Sequence, residues 1–493
     1  MSPAMRLGDL LAGHAVPPAH AQLCVSGLSL DSRAVTGGDA FVALRGSLGH
    51  GMEHAASAFA AGAVVIIAEA DAEAARLPAT GPVVWIEGLR AGLGEIAARF
   101  YGDASRTLRV TGVTGTNGKT STVQLLAQAL DHLGRSAATI GTLGAGLAGA
   151  IDAGERTTPD AISLQRLLAG FLARGATDVA MEVSSHALEQ GRVDGVNFRL
   201  AVFTNLTRDH LDYHGSMEAY AAAKRRLFDM PGLTAAAINL DDAFGRELAV
   251  QLPAGVDRIG YAIDNVAAEV RASDIEQHAN GLRFLLRTPW GEGRVESRLL
   301  GRFNVSNLLA VAAGLGALGH GFEQIRLAMG ELQPVSGRMS RLGGDPGRPL
   351  VVVDYAHTPD ALEQALASVR AHCAGMLVCV FGCGGERDAG KRPLMAAIAE
   401  RLADRIIVTD DNPRSEDGDA IVAAIMSGFS NPAAVTRERD RGKAIRRAIA
   451  DARSNDIVLV AGKGHEPYQE IAGVRHPFDD LKVAQAALEA RPC

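Results

Sequence analysis

Short apolar runs rich in Val, Ile and Leu alternate with Ala- and Leu-rich stretches of helical spacing along almost the whole chain, and no other feature limits its fold so severely. A strand of consecutive apolar residues must be buried on both faces, and such strands joined by helices form parallel sheets covered on either side. The expected class is therefore α/β. The chain has 493 residues, more than one hydrophobic core usually serves, so roughly two to four domains are expected, with three as the working number. A first unit closes with a strand at Val83–Ile86, near Gly88. A second opens with a strand at 108–113 and runs to about Pro334, and a third starts near Val335 with strands expected at 350–354, 376–381, 405–409 and 457–461. The domains expected are thus 1–88, 89–334 and 335–493.

Composition narrows the function classes. With 47% apolar and 21% charged residues the chain reads as soluble and globular. Net charge is −7 with both signs mixed, and no basic stripe offers itself to a phosphate backbone, so nucleic acid is not an expected partner. No signal peptide is expected at the N-terminus, and the longest apolar run, 55–68, is too short to cross a bilayer and is broken at Gly62. A cytoplasmic, non-membrane protein is expected. The five cysteines lack metal-ligand or paired spacing and read as reduced thiols.

The strand at 108–113 leads into Thr114-Gly115-Thr116-Asn117-Gly118-Lys119-Thr120-Ser121, then a helical pattern at 122–133. Glycines at a helix N-terminus let backbone N–H groups curl around an anion, Lys119 neutralises phosphate charge, and Thr120 can ligate Mg²⁺. ATP is the expected ligand, although Gly112 and Gly118 are spaced one residue wider than the strict Walker pattern.

Two further strands, at 179–183 and 200–206, end in Glu182-Val183-Ser184-Ser185-His186 and Arg208-Asp209-His210-Leu211-Asp212. Carboxylate and imidazole at strand ends beside a phosphate loop suit Mg²⁺ bridging phosphates. Beyond them Ser216 is a good N-cap for a helix at 217–229, on which Lys224 shares a face with Met217, Tyr220, Leu227 and Phe228. Two readings of Lys224 stand: a lysine whose ammonium escapes to water, or a desolvated amine able to add CO₂ and become a carbamate.

In the third unit each strand is followed by a polar or Gly-rich turn: 355–359, 382–387, 410–414 and 462–466. Ligands of open parallel sheets bind beyond the carboxyl ends of the strands, so these turns are expected to converge on one site.

Assembled in this order, the motifs resemble those of the Mur ligases along nearly the full chain, and in particular the diaminopimelate-adding members. The resemblance carries the loop at 114–120, Glu182 to His186, Asn205 to Asp212, Gly301 to Asn307, Gly337-Arg338 and Asp354 to Pro359. It implies a smaller N-terminal α/β domain for the uridine nucleotide, a central ATPase with a parallel-rich sheet, and a C-terminal Rossmann-like domain for the amino acid. ATP is then expected on Gly115, Thr116, Asn117, Gly118, Lys119, Thr120 and Ser121, with Asn304, Arg338 and Asp354. Mg²⁺ is expected on Thr120, Glu182, His210 and Lys224, the last as N6-carboxylysine. UDP-N-acetylmuramoyl-L-alanyl-D-glutamate is expected on Leu30, Ser32, Ser47, Thr157, Thr158, Ser184, Gln190 and Arg192. The incoming meso-diaminopimelate is expected on Arg387, Asp411, Asn412, Pro413, Arg414, Gly462 and Glu466.

The resemblance implies that Lys119, Lys224, His210 and Glu182 serve catalysis: an acyl phosphate forms on the D-glutamate γ-carboxylate, and an amine attacks it while the C-terminal domain closes. A monomer is expected. A lysine-adding ligase or a folylpolyglutamate synthase is the nearest alternative, and Asp411-Asn412-Pro413-Arg414 argues against both. A phosphate-loop protein that senses or hydrolyses ATP without ligation is the alternative from another class.

Overall fold

The structure is a computed structural model that describes residues 4–491 apart from 47–48, 148, 153, 155, 279–280 and 346. Its residues gather into two compact units, 1–260 and 261–493.

Beside a short antiparallel ladder of Met5–Arg6 with Cys24–Val25, the first unit contains two larger sheets. Gly27–Ser29, Asp39–Ala43, Val65–Glu69 and Val83–Ile86 form a parallel sheet in chain order. Successive side chains of a strand point to opposite faces: Val65 and Ile67 join Leu28 and Val42 in one core, while Ile66 and Ala68 join Phe41 and Met52 in another. The helix Leu89–Tyr101 lays Leu89, Leu93, Ile96 and Phe100 into the first of these cores, which therefore extends past Gly88.

The second sheet of this unit runs Ala150–Asp152, Gly144–Leu147, Ala137–Gly141, Asp178–Glu182, Arg109–Thr114, Phe198–Phe203, Ala235–Asn239. The last five are mutually parallel and the first two antiparallel. Arg109–Thr114 lies between Asp178–Glu182 and Phe198–Phe203, pairing Val113 with Glu182 and Thr114 with Phe203. Three carboxyl ends thus lie side by side. The strand expected at 200–206 stops at Phe203; Thr204 N still donates to Thr114 O at 3.0 Å, while Thr204 Oγ1 and Asn205 Nδ2 turn to the phosphate loop. The helix expected from Thr122 starts at Lys119; its first turn is polar and is invisible to apolar periodicity. The helix expected at 217–229 is α-helical over Met217–Arg225 and tightens to a 3₁₀ turn at Arg226–Asp229.

The second unit opens with a parallel pairing of Tyr261 to Val270, followed by antiparallel Val270–His278, Gly281–Thr288 and Gly291–Ser297. These long hairpin strands are absent from the sequence expectation, because their outward faces are polar and break the apolar runs. Its six-stranded sheet has the order Ser340–Gly343, Leu350–Asp354, Ile457–Ala461, Leu377–Phe381, Arg405–Val408, Thr436–Arg437, parallel but for the first strand. All four expected strands are present to within a residue. Val352, Leu459 and Cys379 face one layer of helices, and Val353, Val460 and Val380 face the other. The strand Tyr468–Ile471 makes a small hairpin with Val474–Pro477. Among the described residues no helix is long and apolar enough to cross a membrane, and Cys24, Cys373, Cys379 and Cys383 are free thiols.

Candidate active site

The strand Arg109–Thr114 runs into residues 115–118 and then the helix Lys119–His132, with Gly118 as N-cap at φ 84°. Gly115 has φ 148°, and a Cβ there would collide with Thr204 Oγ1, so only glycine fits. Neighbouring strand ends brace the loop. Thr116 N and Asn117 N donate to Asn205 O and Oδ1 at 2.8 and 2.9 Å, and Thr204 Oγ1 and Asn205 Nδ2 donate to Asn117 O at 2.6 and 3.1 Å. Gly115, Thr116, Asn117 and Gly118 therefore form a rigid cradle at a helix N-terminus, where N–H groups and the helix dipole attract an anion. Lys119 Nζ lies over this loop, donating to Gly115 O and Thr116 O at 2.9 and 2.8 Å. Thr120 and Ser121 are buried in the first turn.

Lys224 does not reach water. It is 1% exposed, its Nζ donates to Gly115 O at 2.7 Å, and it lies 4.3 Å from the centre of the Tyr220 ring. Burial, with the Lys119 charge adding and Asp209 opposing, holds its ammonium well below the usual lysine range. Desolvation disfavours the charged form, and the amine points at the main chain of the phosphate loop. Burial likewise raises the Tyr220 hydroxyl to about 12, and that group sits 3.1 Å from Thr116 Oγ1.

Glu182 is buried at its strand end and accepts from Thr142 N and Oγ1 at 2.7 and 3.2 Å. His210 occupies a left-handed backbone position at φ 53°, with Nε2 3.4 Å from Asp209 Oδ2 and its ring edge-on to His186 at 4.9 Å. His186 also packs on Tyr213 at 4.2 Å and His214 at 5.4 Å; His214 lies 5.2 Å from Tyr220. His214 and Tyr213 had no sequence signal beyond their place after His210. Among the described residues no three His, Cys, Asp or Glu side chains form a metal cage. The donors on hand, the Thr120 hydroxyl and the Glu182 carboxylate, still fit Mg²⁺, which is typically held by one or two protein oxygens together with phosphate and water.

A cavity of about 1220 Å³ opens between the two sheets of the first unit, lined by Leu30, Ser32 and Arg33 on one side and Gly141, Arg156 and Arg166 on the other. Leu30 and Ser32 are therefore where the sequence reading expects a ligand, whereas Ser47 lies outside the described residues. The remaining expected residues form a chain of hydrogen bonds. Thr157 Oγ1 is 3.2 Å from Thr142 Oγ1, Thr158 Oγ1 donates to Glu182 O at 2.9 Å, and Ser184 N donates to Thr158 Oγ1 at 3.2 Å. Arg192 donates to Thr158 O at 3.0 Å and to Gln190 Oε1 at 2.6 Å, and Gln190 Nε2 donates to the Tyr213 hydroxyl at 3.0 Å. Burial lowers the Arg192 guanidinium, and the nearby charge of Arg156 adds to the shift. Two guanidinium groups near the cavity suit an anion.

In the second unit the four turns do converge. Tyr355 stacks on His357 and His465 at 4.6 and 5.1 Å, and Gly385 N donates to Asn412 O at 2.9 Å. Gly462 stands at φ 122°, where a Cβ would strike Asp411 Oδ2. After Pro413, Arg414 is held at φ 54° by main-chain bonds to the hairpin, Arg414 N to Glu470 O and Ala472 N to Arg414 O, at 3.0 and 2.7 Å. Its guanidinium donates to Gly385 O at 2.6 Å, and Arg387 is exposed nearby. Glu466 does not wait with a bare carboxylate: Oε2 accepts from Asn412 Nδ2 at 2.8 Å and from Lys463 Nζ at 3.0 Å. Lys463 is wholly buried and was not singled out by its sequence context. Asp354 accepts from Met339 N at 2.8 Å, Arg338 lies 4.7 Å from the centre of the Tyr355 ring, and burial raises the Asp354 carboxyl. Asn304 is buried on the helix Arg302–Ala317, where its Nδ2 donates to Leu300 O at 2.8 Å.

Known proteins resemble the chain in sequence and fold. The chain is 57% identical over 492 residues to a UDP-N-acetylmuramoyl-L-alanyl-D-glutamate--2,6-diaminopimelate ligase of Xanthomonas campestris, covering 100% of this chain and 99% of that one. It is 53% identical over 474 residues to the ligase of that name in Pseudomonas aeruginosa, covering 96% and 97% of the two chains. A solved structure of such a ligase superposes with a TM-score of 0.74 at 38% identity, covering 99% of each chain. The MurF ligase of Thermotoga maritima in complex with ADP shares the fold at TM-score 0.66 and 18% identity, over 94% of this chain and 98% of that one. The Mur ligase family catalytic domain matches residues 25–101, the Mur ligase middle domain 113–315 and the glutamate ligase domain 337–464. With the three domain matches following one another along the chain and 57% identity over its length to such a ligase, the chain belongs to the Mur ligase family.

Proposed function

We propose that this ATP-dependent ligase joins meso-diaminopimelate to the D-glutamate γ-carboxylate of UDP-N-acetylmuramoyl-L-alanyl-D-glutamate, as a monomeric cytoplasmic enzyme of peptidoglycan synthesis. The match at 57% identity along the whole chain to ligases of that name carries the reading. The domains proposed are 1–88, 89–334 and 335–493.

An oxygen of the γ-carboxylate attacks the γ-phosphorus of ATP and ADP departs, leaving an acyl phosphate. The amine of diaminopimelate then attacks the carbonyl carbon, loses a proton and expels phosphate with the bonding electron pair. The chain needs no nucleophile for this. Its task is to bring two anions together. The helix N-terminus that follows Gly118 and the Lys119 side chain take the phosphates, and Arg192, braced by Thr158 and Gln190, orients the carboxylate. Lys224, as a free amine, adds CO₂ with loss of one proton and becomes a carbamate facing the loop. Thr120, Glu182, His210 and that carbamate would hold Mg²⁺, which when bound would supply charge neutralisation for the phosphates. Arg414 and Arg387 take the distal carboxylate of diaminopimelate, with Asp411, Asn412, Gly462 and Glu466 around its ammonium.

The test is formation of the UDP-tripeptide from ATP, the UDP-dipeptide and a panel of amino acids, followed by mass. Diaminopimelate is expected to give ATP-dependent product. ATP hydrolysis indifferent to both acceptors would overturn the reading.

A further inference from the structure

The turn after Ile457–Ala461 carries a lysine to which the chemistry above gives no part. Lys463 is wholly buried; its Nζ donates to Asn412 Oδ1 at 2.8 Å and Glu466 Oε2 at 3.0 Å, and lies 5.6 Å from the centre of the Tyr468 ring. An ammonium taken out of water is costly, and an apolar side chain of similar volume would fill the space without that cost. The charge itself therefore asks for an explanation.

It has two consequences. Asn412 Oδ1 also accepts from Glu470 N at 2.9 Å, so its acceptor capacity is filled by two donors. The amide is then locked with Nδ2 toward Glu466 Oε2, at 2.8 Å, and one N–H remains for a ligand. In addition, Glu466 stands with a cation against one of its oxygens. Several other buried charged groups near these turns are also paired: Arg441 with Asp480 at 2.7 Å, Asp410 with Arg439 at 2.9 Å, Arg392 with Glu416 at 2.7 Å. Asp411, buried, and Arg414, half-buried, remain to answer the charges of an incoming molecule, with Glu386, Arg387 and Asp388 exposed beyond them.

We propose that Lys463 is a specificity-positioning residue: by neutralising Glu466 and orienting Asn412 it tunes the pocket to an amino-acid end bearing both ammonium and carboxylate, and against an end bearing an ammonium alone. This rests on reading the turns as the amino-acid site. Diaminopimelate ends in a zwitterion with no net charge, whereas L-lysine ends in a single cation. A bare Glu466 attracts the lone cation at least as well. With Lys463 beside it that attraction is offset, and the zwitterion alone gains from Arg414. Selection of one ligand against a near analogue commonly needs such a repulsive element.

The experiment compares kcat/KM for diaminopimelate and L-lysine in the full-length enzyme and in Lys463→Met, Glu466→Gln and the double variant, alongside KM for ATP and the UDP-dipeptide and the Tm of each. In Lys463→Met the diaminopimelate-to-lysine ratio is expected to fall by about tenfold or more, with KM for ATP and the nucleotide unchanged. Glu466→Gln leaves the ammonium without its carboxylate, so the ratio should rise even as overall use of diaminopimelate declines. The double variant restores electroneutrality and should return the ratio to within about threefold of the wild type. A ratio that stays put in folded Lys463→Met, or moves the same way in both single variants, overturns the proposal, as does a parallel rise in all three KM values. Should Lys463→Met fail to fold, equal ratios in Glu466→Gln and the double variant overturn it. A wild-type enzyme that does not use diaminopimelate sinks the underlying reading instead.

Discussion

Two lysines of this ligase are almost wholly buried, one in each unit, and they are treated differently. Lys463 meets a carboxylate, an amide oxygen and a ring. Lys224 meets a main-chain carbonyl and a ring, with the second cation of Lys119 nearby. Desolvation disfavours the charged form of a lysine; a neighbouring anion offsets that cost and a neighbouring cation adds to it. The two surroundings therefore suit the different roles proposed for them, pairing beside Glu466 and a desolvated amine beside Gly115. What surrounds a lysine, and not its presence, assigns its chemistry.

The contrast can be broken at several points. The largest effect is expected at the phosphate loop itself. Lys119→Ala should reduce ligation by at least about 10²–10³-fold, the loss typical of one preorganised charge donor, while Tm stays near the wild-type value because Lys119 is only half-buried. Undiminished turnover at saturating ATP would remove the loop from the mechanism.

Lys224→Ala should come next, with activity about a hundredfold lower or worse and partly restored by formate or acetate, which return an anion to the site. In labelled bicarbonate the wild-type chain should show a carbamate carbon signal that the variant lacks. A fully active variant would make Lys224 no different in kind from Lys463.

On the other side of the comparison, Arg414→Ala should cost about 2–5 kcal/mol in recognition of a charged group. Steady-state kinetics should then show the diaminopimelate KM raised well over tenfold, with KM for ATP spared. If ATP binding fell in step, the turn would be a structural element and not a site of selection.

The smallest effect is one of stability. Lys224 titrates below the usual 10.5 in the folded state, so between its folded and unfolded values the unfolded chain holds one more proton. Stability then rises with pH across that window and levels off above 10.5. Lys224→Met should therefore stabilise the CO₂-free enzyme near neutral pH, with an advantage that shrinks by roughly 1.4 kcal/mol per pH unit toward pH 10. Urea midpoints that differ equally at pH 7 and pH 10 would mean that Lys224 stays charged.

Much of this molecule is legible locally. The buried parallel strands announce themselves because each is a run of Val, Ile and Leu, and the phosphate loop because glycines, a lysine and a threonine fall at the start of a helix. The antiparallel strands Val270–His278, Gly281–Thr288 and Gly291–Ser297 do not, since one polar face hides each strand from a search for apolar runs. The positions of Leu30, Thr158, Arg192, Asn412 and Arg414 were expected through resemblance. Their partners were not, because a hydrogen bond from Arg192 to Thr158 O spans 34 residues.

By itself, then, the sequence determined the α/β class, the order of the three domains, the glycine-rich loop before the helix at Lys119 and the four turns of the second unit, all of which follow from patterns within a dozen residues. Only the tertiary structure decided what those groups meet. Sheet order brings Lys224 to Gly115 across 109 residues, Lys463 to Asn412 across 51, and Arg441 to Asp480 across 39. Whether a buried charge is solvated, neutralised or left to lose its proton depends on such neighbours, and no local periodicity records them.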